Sequence, residues 1–274
     1  WFPHVKIIDY LRLNVGFDIT GNDDIDYTAS RSYFIAKRML GETVSGKVIG
    51  NIGNTDLQWE TTRRLTAGLS SNLLDNRLTV RFGFFKSWTS NLLSLRQLAW
   101  TSGLGQNWSN DGRLENIGYD ISLGAKVLAL KDFCWELGAS AVHYKNKVTA
   151  LPDNDRQIET DIYGATILTQ VGQPVGVFYG YQTNGVYATT AEAKADGHYI
   201  LKQNGDRAYF EAGDMNFTDL DGNGLINEAD RTIIGNPNPD LYGNIYTTLT
   251  YKNFTLHAVA NYSLGNDIYN YMRS

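Results

Sequence analysis

The segment Asp219-Leu220-Asp221-Gly222-Asn223-Gly224-Leu225-Ile226-Asn227-Glu228-Ala229-Asp230 sets oxygen-bearing side chains at loop positions 1, 3, 5, 9 and 12, with Gly at position 6. A hard divalent cation needs six to eight oxygens within reach. Alternate inward-pointing side chains around a glycine-permitted sharp turn can supply them. The expected ligands are the side chains of Asp219, Asp221 and Asn223, the carbonyl of Leu225, Asn227 directly or through water, and Asp230 as the closing carboxylate. Calcium is the expected ion. The flanks show no amphipathic helical partners, so the expected role is structural, an ion pinning a long loop. The competing reading is a surface loop rich in Asp, Asn and Gly for their turn propensity; the number of matched positions favours the cation.

Aspartate stands at position 12, where sensor EF-hands carry Glu, so the loop resembles that of dockerin modules, and the shorter carboxylate must draw the chain closer. Other chemistry is sparse. His4, His143, His198 and His257 lie far apart without metal-ligand spacing, and the single Cys134 excludes an internal disulfide framework. The acidic run Asp153, Asp155, Glu159 and Asp161 could offer paired carboxylates for glycoside hydrolysis, but a long polar stretch makes it a solvated surface instead. No enzyme is expected. Trp88, Trp100, Trp108, Tyr163, Tyr179, Tyr181 and Tyr187 could stack on sugar rings or pack against a peptide. For any one of them, interfacial or internal packing is the favoured role. A net charge of −5 without a basic stripe argues against nucleic acid.

The elements that must hold these groups are strands. Leu11, Leu13, Val15, Phe17 and Ile19 alternate with Arg12, Asn14, Gly16 and Asp18, giving one apolar and one polar face. Leu65, Ala67 and Leu69 lead through Asp75-Asn76 to Leu78, Val80, Phe82 and Phe84, a hairpin signal. Ile117 to Val127 turns near Lys131-Asp132 into Phe133 to Ala141, and Tyr242 to Tyr251 turns at Lys252-Asn253 into Phe254 to Tyr262. The pattern predicts a lone strand and three hairpins. Between them the chain runs through long connections, from Gly21 to about Gln58, from about Leu93 to Glu115 and from about Lys147 to Leu241. Such lengths are unusual in compact soluble domains.

Short turns at one end, long loops at the other and ten-residue half-apolar strands with aromatic ends predict an all-β fold. The specific expectation is part of an antiparallel transmembrane β-barrel with short periplasmic turns and long extracellular loops. The apolar face would meet outer-membrane lipid. No run of about 18 apolar residues offers a helical span. The alternative architecture is an extracellular, calcium-stabilised β-sandwich that binds carbohydrate.

Blocks spread from about Asn51 to Asn270 resemble the SusC/RagA family of TonB-linked outer-membrane transporters. They are Asn54-Thr55-Asp56-Leu57-Gln58-Trp59-Glu60-Thr61-Thr62, Asn76-Arg77-Leu78, Gly172-Gln173-Pro174-Val175-Gly176-Val177-Phe178-Tyr179-Gly180-Tyr181 and Asn184-Gly185-Val186-Tyr187. Gly213-Asp214 before the calcium-type loop, Asp230 to Pro239 and Gly265-Asn266-Asp267-Ile268-Tyr269-Asn270 complete the set. The resemblance implies a barrel in the outer membrane of a Bacteroidetes-type bacterium, closed by an N-terminal plug and covered by a SusD-like surface lipoprotein. It further implies import of an oligosaccharide or a peptide with energy from TonB. On this expectation residues 1–274 are an internal fragment of the C-terminal barrel region, without the plug and the final strands. Residues 147–241 form a long extracellular loop region around the calcium-type loop at 219–230.

Overall fold

The computed structural model describes residues 7–39, 44–98, 101, 103–104, 106–152, 156–270 and 272. In chain order β1 (Ile8–Asn22), β2 (Tyr33–Met39), β3 (Val44–Asn51), β4 (Glu60–Leu73), β5 (Leu78–Gln97), β6 (Gln106–Ala129) and β7 (Phe133–Ala150) come first. Then follow β8 (Gln157–Ile162), β9 (Ala165–Gln170), β10 (Val177–Tyr181), β11 (Thr183–Val186), α1 (Thr190–Asp196), β12 (Tyr199–Leu201), β13 (Arg207–Tyr209), β14 (Met215–Phe217) and β15 (Arg231–Gly235). The last two are β16 (Leu241–Tyr251) and β17 (Phe254–Leu264). The chain forms two compact units, one of Trp1–Gln157, Gln170–Val175 and Pro239–Gly265, the other of Ile158–Thr169, Gly176–Asn238 and Asn266–Ser274.

The first unit is built on one antiparallel sheet in the order β1-β4-β5-β6-β7-β16-β17. Its register follows the alternation of the sequence. Leu13 pairs with Leu69, Leu69 with Phe82, Phe82 with Ile121, and Ile121 with Ala141, so one apolar row crosses five strands. Arg12, Ser70, Arg81, Ser122, Ser140, Asn244 and Asn261 form the matching polar row across all the strands. The β4–β5 turn uses Asp75 and Asn76 at φ 56° and 58°, and the Arg77 N–H donates to the Leu74 carbonyl at 3.2 Å. Positive φ at both central residues matches the right-handed twist of the flanking strands.

Small residues on the polar face make room for large neighbours. The Tyr246 ring lies against Gly138, where an added Cβ would collide with it, and its hydroxyl would stand 3.1 Å from a Cβ at Gly124. The stretch expected as a loop from Leu93 to Glu115 is largely strand, because β5 and β6 continue pairing there to Gln97↔Gln106. A polar contact stands in for apolar alternation in that extension, where the Asn110 amide donates to the Gln58 carbonyl at 3.3 Å. The first long connection likewise holds the β2–β3 hairpin, tied down where the buried Asn51 amide donates to the carbonyls of Ala29 and Arg31 at 3.1 and 2.8 Å.

Two architectural expectations are corrected. The all-β class holds, and among the described residues no helix is long and apolar enough to cross a membrane. The sheet, however, does not close: β1 pairs only with β4 and β17 only with β16, so the described residues form no barrel. Closure depends on which edge strands meet, a relation that alternation within each strand does not encode. The expectation of a transmembrane β-barrel portion is therefore not supported. Nor are these strands divided between two facing layers, as the sandwich would require, since all of them share one sheet. The described residues leave the apolar row uncovered at its edge, with Leu13, Val15, Phe17 and Ile19 exposed by 75%, 79%, 61% and 61%.

The second unit has its own core. A four-stranded sheet in the order β15-β10-β9-β8 buries Leu168 against Val177, which are register partners, and Tyr187, Ala193 and Ile226 are also buried. Aromatic contacts run from Tyr181 to Phe217, Phe217 to Phe210 and Phe210 to Tyr187, at 5.5, 5.8 and 6.3 Å between ring centres. Helix α1 is capped by Thr189, whose hydroxyl accepts from the Glu192 N–H, and it ends at Gly197 with φ 70°.

Candidate metal centre

The calcium-type loop lies within the second unit. It is organised by carboxylates accepting from the loop's own backbone, the usual means of satisfying a tight turn rich in Asp and Asn. Asp219 Oδ1 accepts from the Gly222 N–H at 2.7 Å and Oδ2 from the Gly224 N–H at 2.6 Å. Gly222 and Gly224 adopt φ 75° and 76°, a conformation that favours glycine at both positions. Asp221 Oδ1 accepts from the Asn223 N–H at 3.1 Å, and Asn223 Oδ1 from the Leu225 N–H at 2.6 Å. The far end of the loop is a 3-10 turn, Glu228–Asp230, capped by Asn227, whose Oδ1 accepts from the Ala229 N–H at 2.7 Å.

Asp230 closes the arrangement. It is fully buried, and its two oxygens accept from Leu220 and Asn227 N–H groups, both at 2.9 Å, so one carboxylate ties the start of the loop to its end. One ligand oxygen from each of Asp219, Asp221 and Asp230 lies within 4.8 Å of the others. Three carboxylates this close repel one another, and a divalent cation between them reverses the sign of that interaction. The oxygen-only donor set fits a hard cation. Of the six expected ligands, the structure thus gathers Asp219, Asp221 and Asp230. Asn223 is beside them, with its amide donating to Asp221 Oδ2 at 2.7 Å, while Asn227 serves as the cap. At Leu225 the backbone forms a parallel bridge with Tyr199.

The bridge brings in Tyr199 from outside the loop's own spacing. The Tyr199 N–H donates to the Gly224 carbonyl and the Ile226 N–H to the Tyr199 carbonyl, each at 2.9 Å, pinning loop positions 6 and 8 from outside. No short-range pattern marks Tyr199 for this role, since the pairing spans unrelated segments.

Donation from the Gly224 N–H above all, opposed by desolvation and aided by the Gly222 N–H, holds the Asp219 carboxyl below the usual carboxylate range. A depressed folded-state value means that this contribution to stability is complete above the ordinary carboxylate pKa and is lost as pH falls through the folded one. Hydrogen-exchange protection of the Gly222 and Gly224 amides is therefore expected to be flat near neutrality and to fall only in acid, below about pH 4. Asp219→Asn should remove that acid step, as followed by amide exchange against pH.

Beside the loop, residues of β10 and β15 and the segments 164–166 and 267–270 line a cavity of about 650 Å³. Arg231 follows Asp230 directly. Its guanidinium pairs with Glu159 at 3.0 Å and lies 4.5 Å from the centre of the Tyr179 ring. Tyr179 and Tyr181 line this cavity, whereas Tyr187 is buried in the core, Trp88 and Trp108 lie in strands and Tyr163 is exposed. Trp100, His4, Asp153 and Asp155 fall outside the described residues. Glu159 holds Arg231, so that member of the acidic run is structural. The remaining histidines, 143, 198 and 257, join no metal cluster among the described residues.

No family model matches the chain. Over 95% of its length it is 34% identical to the TonB-dependent receptor P3 of Formosa agariphila, and over 97% it is 28% identical to the TonB-dependent receptor SusC of Bacteroides thetaiotaomicron. The match takes in 26% of each relative, so the chain spans about a quarter of their length. Among solved structures, that of the RagAB peptide transporter superposes with a TM-score of 0.77 at 21% identity, covering 97% of this chain and 28% of that one, a likeness of fold. Along nearly its whole length the chain is thus similar in sequence to TonB-dependent receptors, a similarity that supports a place in the outer membrane and no enzymatic role. The comparisons bear out a likeness of sequence to SusC and a likeness of fold to the RagAB structure. The narrower assignment to an internal fragment of the C-terminal barrel is corrected, because the sheet remains open.

Proposed function

We propose that the chain is part of a TonB-dependent importer that takes up an oligosaccharide or a peptide together with a SusD-like surface lipoprotein. The observation that carries this reading is the 34% identity to a TonB-dependent receptor along 95% of the chain. In this reading residues 147–241 face the cell exterior, and the second unit with its own core is the part that meets ligand or lipoprotein. TonB is engaged through the remainder of a longer protein. Deleting the gene, and separately inactivating TonB, should abolish uptake of the same nutrient. Uptake that survives either lesion contradicts the proposal.

The loop at 219–230 holds calcium as a structural ion, with Asp219, Asp221 and Asp230 as charged ligands and Asn223, the Leu225 carbonyl and Asn227 completing the shell. The three gathered carboxylates support this reading. Bound calcium stabilises a folded loop by mass action, because the unfolded chain offers no such cage. Elemental analysis of the purified chain should find calcium, and the double variant Asp219→Ala, Asp221→Ala should lack it. Equal metal content in both would overturn the assignment.

A further inference from the structure

The cavity beside β15 joins features that the metal loop does not need. Its lining includes Tyr179, Tyr181, Tyr269, Arg231, Glu228 and Asp267, the last with one carboxylate oxygen accepting from the Asn236 N–H at 2.8 Å. The volume of about 650 Å³ falls in the range of small-molecule sites. Both signs of charge are present, so a polyanion or a polycation would meet repulsion on part of the wall. Arg231 already has Glu159 as its counter-ion, which removes the strongest attraction for an anionic ligand. An uncharged ligand that both donates and accepts hydrogen bonds, with an apolar face for an aromatic ring, satisfies this lining better.

A peptide would be expected instead along an open strand edge, where main-chain pairing supplies affinity. Here the edge strand β15 shares the wall with the interior strand β10 and with residues 267–270, so the lining is a concave set from several segments and not a bare strand edge. We propose that this cavity binds a sugar ring of an oligosaccharide, with Glu228, Asp267 and Arg231 hydrogen-bonding its hydroxyls and the tyrosine rings covering its C–H face. The proposal rests on the import reading for its ligand class and is independent of calcium. Arg231 and Tyr179 are held before ligand arrives, the guanidinium by Glu159 and the ring by the guanidinium. This limits the ordering cost of binding. Glu228 is exposed and has no fold-bearing side-chain contact among those described, so it can be changed without disturbing the unit.

The test is saturation-transfer NMR on the purified full chain with glucose, galactose, mannose and xylose at tens of millimolar, followed by titration of the sugar that responds. At least one is expected to show ring-proton transfer. Glu228→Ala should weaken it about tenfold, the loss of one charge-assisted hydrogen bond. Arg231→Lys keeps the charge, loses the planar fork and should weaken it similarly. Absence of transfer from all four sugars to a folded chain overturns the site, as does binding that neither variant alters. Transfer from triglycine but from no sugar overturns the ligand class. If TonB-dependent uptake persists while the sugars fail, only the site falls and the import reading stands.

Discussion

Asp230→Ala is expected to cost the second unit about 2–5 kcal/mol, because two backbone donors lose a fully buried acceptor at once and each such loss costs about 1–3 kcal/mol. The donors are the Leu220 and Asn227 N–H groups, and the carboxylate that serves them has no solvent exposure. The effect should appear in chelator-treated protein, where metal contributes nothing, as a lowered denaturation midpoint for the second unit and lost exchange protection at those two amides. Asp230→Asn keeps one oxygen and the shape, and about half the loss is expected. Glu228→Ala, two residues away and exposed, should fall within about 0.5 kcal/mol of the parent. In calcium the gap between Asp230→Ala and the parent should widen, since the parent alone gains binding energy.

The second large effect is expected in the first unit. At Gly243 an added methyl would strike the Ser140 backbone carbonyl, and neither atom belongs to a flexible side-chain tip. The same carbonyl accepts from the Tyr262 hydroxyl at 2.8 Å, and Gly243 is paired with both Ala141 and Tyr262. Gly243→Ala must therefore shift β16 against β7 or break the Tyr262 contact, at about 3 kcal/mol. Gly124→Ala makes the comparison. Its nearest neighbour is the Tyr246 hydroxyl at 3.1 Å, the end of a side chain that can give, and about 1 kcal/mol is expected. Denaturant midpoints of the two variants against the parent would check the order. Equal costs would show that backbone crowding at Gly243 does not govern the β7–β16 register.

Much of the first unit was readable because its strands are long. Period-two alternation from Leu11 to Ile19 and from Leu78 to Phe84 settles which face each residue takes, and Asp75-Asn76 announces its own turn. Where strands continue in polar residues, as around Ser109 and Asn110, that signal vanishes and pairing rests on side-chain hydrogen bonds between distant segments. The second unit was opaque for a related reason. Its β12, β13 and β14 have three residues each, too few to show a period, and they are set by contacts such as Tyr199 with Gly224. In the loop, spacing alone identified Asp219, Asp221 and Asp230 as neighbours. It could not foretell that Asp230 would be buried as an acceptor for Leu220, because that requires the loop's two ends to return to each other. The open edges of the sheet lay furthest from reach, since nothing within β1 or β17 states what stands beside it.

The import reading is tested most directly by nutrient uptake in the native bacterium with this gene deleted, compared with the parent and with a strain lacking TonB. The account predicts that one oligosaccharide or peptide nutrient is no longer taken up at limiting concentration in either mutant, and that the intact gene restores uptake only when TonB is present. Unchanged uptake of every such nutrient in the deletion strain, or restoration without TonB, would contradict it.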